Sequence, residues 1–267
     1  MTTIISRISI LASLLVFFSC NSNEETVSKQ DAVPAKEKEL RDAIAQYPDS
    51  ALLKKTLVQY FEDNDNFDMA LAELDKMAAK DSGDATLWDK KAQLYLLKDD
   101  TAKAVTAYEK AISIFPDPQY VMSLGWLYAK TNNPQALEIA GALLQADKAK
   151  AAKEALLIKG LYYSNTGDKQ KALAAFDNCL ALDYTFMFAY REKAIVLYEL
   201  GKYEEALQLL QKATTLQNSF DEGYYWMGQC NEKLGNRDAA IDNYRTALMY
   251  NADFIEAKDA LSKLGVK

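Results

Sequence analysis

The chain has 267 residues, 49% of them hydrophobic and 26% charged, with five prolines, ten glycines and no histidine. This composition suits a soluble helical protein that completes its core without disulfides or metal. A net charge of −7 argues against a nucleic-acid partner, whose backbone needs a basic surface, and the lack of histidine removes imidazole general bases, histidine-based triads, the HExxH zinc site and most transition-metal sites.

Residues 1–19 read as a signal peptide. Arg7 supplies a positive n-region, and Ile8 to Phe18 is an apolar stretch interrupted only by Ser9 and Ser13, too short to cross a hydrocarbon core of about 30 Å as a permanent helix. The stretch ends in Ser19-Cys20. A cysteine directly after a short apolar core and a small residue resembles a bacterial lipoprotein signal, in which the thiol is acylated and becomes the mature N-terminus. Phe17 and Phe18 stand where that pattern usually has an aliphatic and a small residue; the alternative is an ordinary secreted protein cleaved nearby. The resemblance implies membrane attachment through Cys20 and, with Asn21 rather than aspartate next, an outer-membrane lipoprotein whose exposed face is left open. Residues 20–36 then form a lipidated flexible tether, since Asn, Ser, Glu, Thr, Lys and Gln offer almost nothing to bury.

Beyond the tether, Leu40, Ala43, Ile44 and Tyr47 share one helical face and Pro48 ends it, so residues 37–50 are expected to form a capping helix. From residue 51 the chain repeats every 34 residues. Gly167, Gly201 and Gly235 mark turns, Ala172, Ala206 and Ala240 come five residues later, and Gly160, Ala194 and Gly228 stand seven before. Self-similarity at this period identifies an array of helix pairs. Counting outward gives six units, 51–84, 85–118, 119–152, 153–186, 187–220 and 221–254, with 254–267 as a second cap over the last apolar face. Two helices approach to about 8–10 Å only where side chains at the crossing are small, so Gly or Ala on the first helix is expected to face Ala on the second. The turn glycines read as helix C-caps.

Two units depart from the pattern. The first has Val58 at the small-residue place and is supported mainly by Asn66 to Leu71. In the third, a strict count puts Trp126 at the tight crossing, where an indole does not fit. A register one residue earlier puts Gly125 there, with a shortened Asn132-Asn133-Pro134 turn, and extra residues around Lys148 to Lys153 restore the phase.

The unit resembles the tetratricopeptide repeat (TPR). Trp88, Ala92, Tyr95, Ala104, Tyr108, Ala111 and Pro116 occupy the signature places in one copy, and Tyr190, Ala194, Gly201, Tyr203, Ala206 and Ala213 do so in another. The resemblance covers residues 37–267 and implies an all-α fold, an α-solenoid (a right-handed superhelix) of about six helix pairs with terminal capping helices. No phosphate-cradling glycine loop is present, and Asp99-Asp100 and Glu204-Glu205 fall at turns and outer faces as solvated charge. Cys179 and Cys230 read as small core residues, two repeats apart and so beyond the roughly 7 Å Cα separation a disulfide tolerates. No catalytic residue, cofactor or metal is expected.

In a TPR superhelix the first helices line the concave side, and the second, fifth, ninth and twelfth places of each unit point into it. Carried onto this chain, that implies a polar entrance of Leu52, Lys55, Gln59, Glu62, Thr86, Asp89, Gln93 and Leu96, and an apolar centre of Met122, Trp126, Leu157, Leu161, Phe188, Ile195 and Tyr198, with Arg191 among them and Tyr225 beyond. The core has its own apolar places, so this cluster suggests a partner-binding groove; the alternative is that several of these side chains pack on neighbouring first helices or lie under the N-terminal segment. Lys55 with Gln59 only partly matches the Lys and Asn pattern by which some TPR domains hold a chaperone's C-terminal carboxylate. The expected protein is a lipid-anchored scaffold of the bacterial envelope that binds a protein or peptide, similar in build to type IV pilus pilotins and the TPR lipoproteins of outer-membrane assembly. The alternative is a lipoprotein that takes a small molecule, a glycan or lipid fragment, in a closed aromatic pocket at Trp126, Tyr198 and Tyr225.

Overall fold

The computed structural model describes residues 34–146 and 148–266. The segment read as a signal peptide, Cys20 and most of the expected tether lie outside the described residues. Among the described residues the chain is helical throughout, with no strand and no helix long and apolar enough to cross a membrane.

After a leading helix, α1 (Ala35–Gln46), the chain forms successive helix pairs: α2 (Ala51–Asp63) with α3 (Phe67–Lys80), α4 (Ala85–Leu97) with α5 (Thr101–Ile114), and α6 (Pro118–Lys130) with α7 (Gln135–Ala146). Then come α8 (Lys148–Asn165) with α9 (Lys169–Leu182), α10 (Met187–Glu199) with α11 (Tyr203–Leu216), and α12 (Asp221–Lys233) with α13 (Arg237–Tyr250); α14 (Ile255–Lys263) closes the row. Side-chain oxygens of Ser50, Asp84, Asp100, Asp117 and Asp168 accept from backbone N–H groups in the first turns of α2, α4, α5, α6 and α9. Each such cap satisfies a donor the helix cannot, worth about 1 kcal/mol.

Every pair turns through one left-handed residue. Gly167, Gly201 and Gly235 have φ of 90°, 75° and 78°, and Asp65, Asp99 and Asn132 take the same conformation at 55°, 56° and 59°. Aspartate and asparagine tolerate this region better than other side chains because their short polar groups bond locally. Asn132 falls one residue early, as the register correction requires. The phase is recovered inside α8, which has 18 residues where the other first helices have 13.

The small places are tight, but their partners differ from expectation. Gly160 faces the ring of Phe176 and Gly228 that of Tyr244; at either glycine a Cβ would come within 2.8 Å of three ring atoms. Alanine on the second helix is therefore not what the glycine accommodates. The corresponding places hold Val58 with Leu74, Ala92 with Tyr108 and Ala194 with Leu210, each pair buried within one core cluster. An aromatic ring on the second helix goes with Gly or Ala on the first, and Val58 is matched by the smaller Leu74. Close-packed interiors require such compensation. Gly125 has the expected role, since a Cβ there would stand 2.8 Å from both Ile139 Cγ2 and Ile158 Cδ1.

Consecutive helices pack throughout, and from α6 to α12 each first helix also contacts the next first helix. Those first helices form a continuous layer, and its outer side carries the candidate site.

Candidate functional site

The entrance is polar only in part, since Val58, Leu74 and Leu87 also line it. Lys55 and Gln59 on α2 and Thr86, Asp89 and Lys90 on α4 line a cavity of about 270 Å³. Lys90 is paired with Glu62 at 2.5 Å, so its charge is already engaged. Burial holds the Asp89 carboxyl above its ordinary range, opposed by the bond it accepts from Gln93.

Further along, Met122 and Trp126 of α6 and Leu157 of α8 meet at a second cavity of about 280 Å³, completed by Leu96, Tyr108, Ser123, Glu154 and Ile158. Trp126 is 37% exposed and its ring carries the Lys130 ammonium 5.5 Å from the centroid. Met122 and Leu157 are half-buried against the core.

Leu161 is a correction. The groove rule puts it on the open wall, but it is 1% exposed, within the cluster that holds Leu124, Leu127 and Tyr128 of α6 and Phe176 of α9. Here α6 lies directly along α8, and the Asn165 amide donates to the Ala129 carbonyl at 3.0 Å. Ile195, at the same place one unit later, is only half-buried.

On α10, Phe188 is 54% exposed, its ring edge-on to Phe186 and beneath the Arg191 guanidinium at 5.1 Å. Arg191 Nε and Nη2 donate to Glu192 Oε1 at 3.1 and 2.8 Å, and Nη1 donates to both carboxylate oxygens of Glu222 on α12 at 2.6 and 2.8 Å. Burial alone would lower the Arg191 pKa; the two carboxylates more than offset this and raise it. Arg191 therefore joins two repeats and does not present a free cation.

Tyr198 and Tyr225 belong to an aromatic ladder whose middle rung is Trp226, 5.5 and 5.6 Å from them. Tyr198 also meets Tyr203, and Tyr225 meets Tyr244 and Phe254. Neither tyrosine lines the cavity beside Trp126. The apolar centre is thus two neighbourhoods rather than one closed pocket.

Trp226, Glu222 and Glu154 are absent from the set the sequence suggests, although Glu154 and Glu222 occupy the second place of their units, where the groove rule points. Cys179 and Cys230 are buried free thiols whose pKa values burial pushes up to about 12, and Cys179 Sγ donates to the Lys153 carbonyl. Such thiols are inert.

Residues 85–118, 153–186 and 221–254 match the tetratricopeptide repeat family, and residues 195–235 match a TPR repeat model. The chain is 35% identical over 102 residues to TPR repeat-containing protein MJ0940 of Methanocaldococcus jannaschii, covering 38% of this chain and 31% of that protein. It spans less than a third of the length of the curated relatives it matches. Among solved structures, a tetratricopeptide repeat protein from Parabacteroides merdae superposes with a TM-score of 0.73 at 18% identity, covering 86% of this chain and 91% of that one. PilW, a type IV pilus biogenesis factor, superposes with a TM-score of 0.59 at 20% identity, covering 78% and 97%. These two likenesses concern the fold alone. The helix pairs, left-handed turns and tight crossings of the matched segments agree with tetratricopeptide repeats, and over those segments the chain is similar to TPR repeat proteins.

Proposed function

We propose that the array is a lipid-anchored scaffold of a bacterial cell envelope that holds a protein or peptide partner along its row of first helices and performs no catalysis itself. The observation that supports this best is the apolar series Met122, Trp126, Leu157, Phe188 and Ile195, left half-buried or exposed on that row while the core clusters are filled from other places. A groove of this kind offers hot-spot side chains to an extended segment. The separation of Tyr198 and Tyr225 from the Trp126 cavity favours this over a closed small-molecule pocket. Anchoring through Cys20 and an outer-membrane location rest on the Ser19-Cys20 junction and Asn21.

Affinity capture from solubilised envelopes tests the groove. The parent should retain a partner that Phe188→Ser/Ile195→Ser loses while still folding, with a melting temperature only a few degrees lower; equal capture by both would refute the reading. For the anchor, Cys20→Ala should abolish incorporation of labelled fatty acid and release the protein to the soluble fraction.

A further inference from the structure

The cavity between α4, α6 and α8 contains a carboxylate oxygen that no described residue engages. Its walls are the apolar side chains of Leu96, Met122, Trp126, Leu157 and Ile158, and its polar groups are Tyr108, Ser123 and Glu154. Tyr108 is buried and Ser123 half-buried. Glu154 is different: its Oε2 is buried and has no hydrogen-bond partner among the described residues. The neighbouring Lys153 ammonium is committed to Asp183 at 2.7 Å. A carboxylate oxygen removed from water and left unpaired carries an uncompensated desolvation cost, which a donor brought by a ligand removes.

The other walls say what kind of donor fits. A long aliphatic stem ending in a cation buries its methylenes on apolar surface and keeps its head on a charge. Met122 adapts its shape to such a stem, and an indole face attracts cations, as the Lys130 ammonium at 5.5 Å from the Trp126 ring already illustrates. We infer that this cavity takes a lysine or arginine side chain of the partner, with its stem against Met122, Trp126 and Leu157 and its head bonded to Glu154 Oε2. The inference rests on the groove reading above and adds to it that the bound segment is basic, complementary to a chain of net charge −7.

The test uses two small probes on the full chain carrying labelled methionine methyls and indole nitrogens: N-acetyl-arginine amide and its neutral isostere N-acetyl-citrulline amide. The arginine probe should shift the Met122 methyl and Trp126 indole signals saturably, and the citrulline probe should bind about tenfold more weakly, because its donor to the carboxylate is neutral and forms no ion pair. E154Q, nearly isosteric, should fold normally and erase that difference. Trp126→Leu keeps the carboxylate and should weaken the arginine probe by about threefold. Equal binding of both probes by the parent, no shift with either, or undiminished discrimination in E154Q would overturn the inference. Envelope capture separates the two readings. If E154Q captures partners as well as the parent while Phe188→Ser/Ile195→Ser does not, the groove stands and the cation pocket falls. If Phe188→Ser/Ile195→Ser captures partners as well as the parent while E154Q does not, and the arginine probe depends on Glu154, the pocket stands and the groove reading falls.

Discussion

Gly228 on α12 lies against the ring of Tyr244 on α13, and the far end of that ring is pinned: Gln229 Nε2 donates to the Tyr244 hydroxyl at 2.8 Å, and the hydroxyl donates to Glu232. The ring is fully buried and held at both ends, so it has no room to yield to a methyl group.

Gly228→Ala should therefore destabilise the protein although alanine is the better helix former by about 1 kcal/mol. Overpacking of about 1–3 kcal/mol opposes that gain, and the net loss should appear as a lower urea midpoint. Adding Tyr244→Leu, which reproduces the Ala194 and Leu210 pairing, should recover more stability than the two single changes predict by addition. A higher midpoint in Gly228→Ala would show that the crossing has slack.

Leu161 and Ile195 occupy the same place in adjacent units but differ in burial. Leu161→Ser should cost about 3 kcal/mol or more, through a cavity and a buried hydroxyl, whereas Ile195→Ser should cost about 1 kcal/mol. Chemical denaturation of the two single variants distinguishes them, and equal losses would mean that α10 is covered as closely as α8.

Removal of Arg191 should harm the fold more than the groove. Glu192 is 7% exposed and depends on that guanidinium, so Arg191→Ala leaves a buried carboxylate unpaired, at a cost of about 3 kcal/mol. Arg191→Ala/Glu192→Gln should regain part of it. Thermal melts of the three proteins check this, and a neutral Arg191→Ala would show that Glu192 finds another donor.

Asp183 carries an acid-sensitive contact. The bond from Lys153, then those from the Thr185 hydroxyl and backbone N–H, lower its pKa from the ordinary carboxylate value to about 2. A folded-state pKa below the unfolded one stabilises above the unfolded value and is lost as pH falls through the folded value. Between roughly pH 4 and 2, the parent should lose stability more steeply than Asp183→Asn, as measured by urea midpoints at stepped pH. Parallel curves would mean that the contact has no net effect.

Much of this architecture is legible in the residues alone, because its causes are local. A left-handed turn every 34 residues needs glycine, asparagine or aspartate at a fixed offset, and a close helix crossing needs a small residue at another. The displaced third unit can be rephased for the same reason, as Gly125 and Asn132 are recognisable by what their positions demand. Contacts between units are not legible in this way. A rule that assigns places to the groove assumes equal spacing of first helices, but α6 packs along α8 closely enough to take Leu161 into the core, while Ile195 stays half-buried. Arg191 resembles a free groove cation until α12 brings Glu222 to it, and Gly160 resembles a site for alanine until Phe176 fills it. The groove rule points to Glu154, but nothing in its neighbours along the chain marks its carboxylate as unpaired. Whether a polar atom has a partner depends on every element packed around it, and only the tertiary structure brings those elements together.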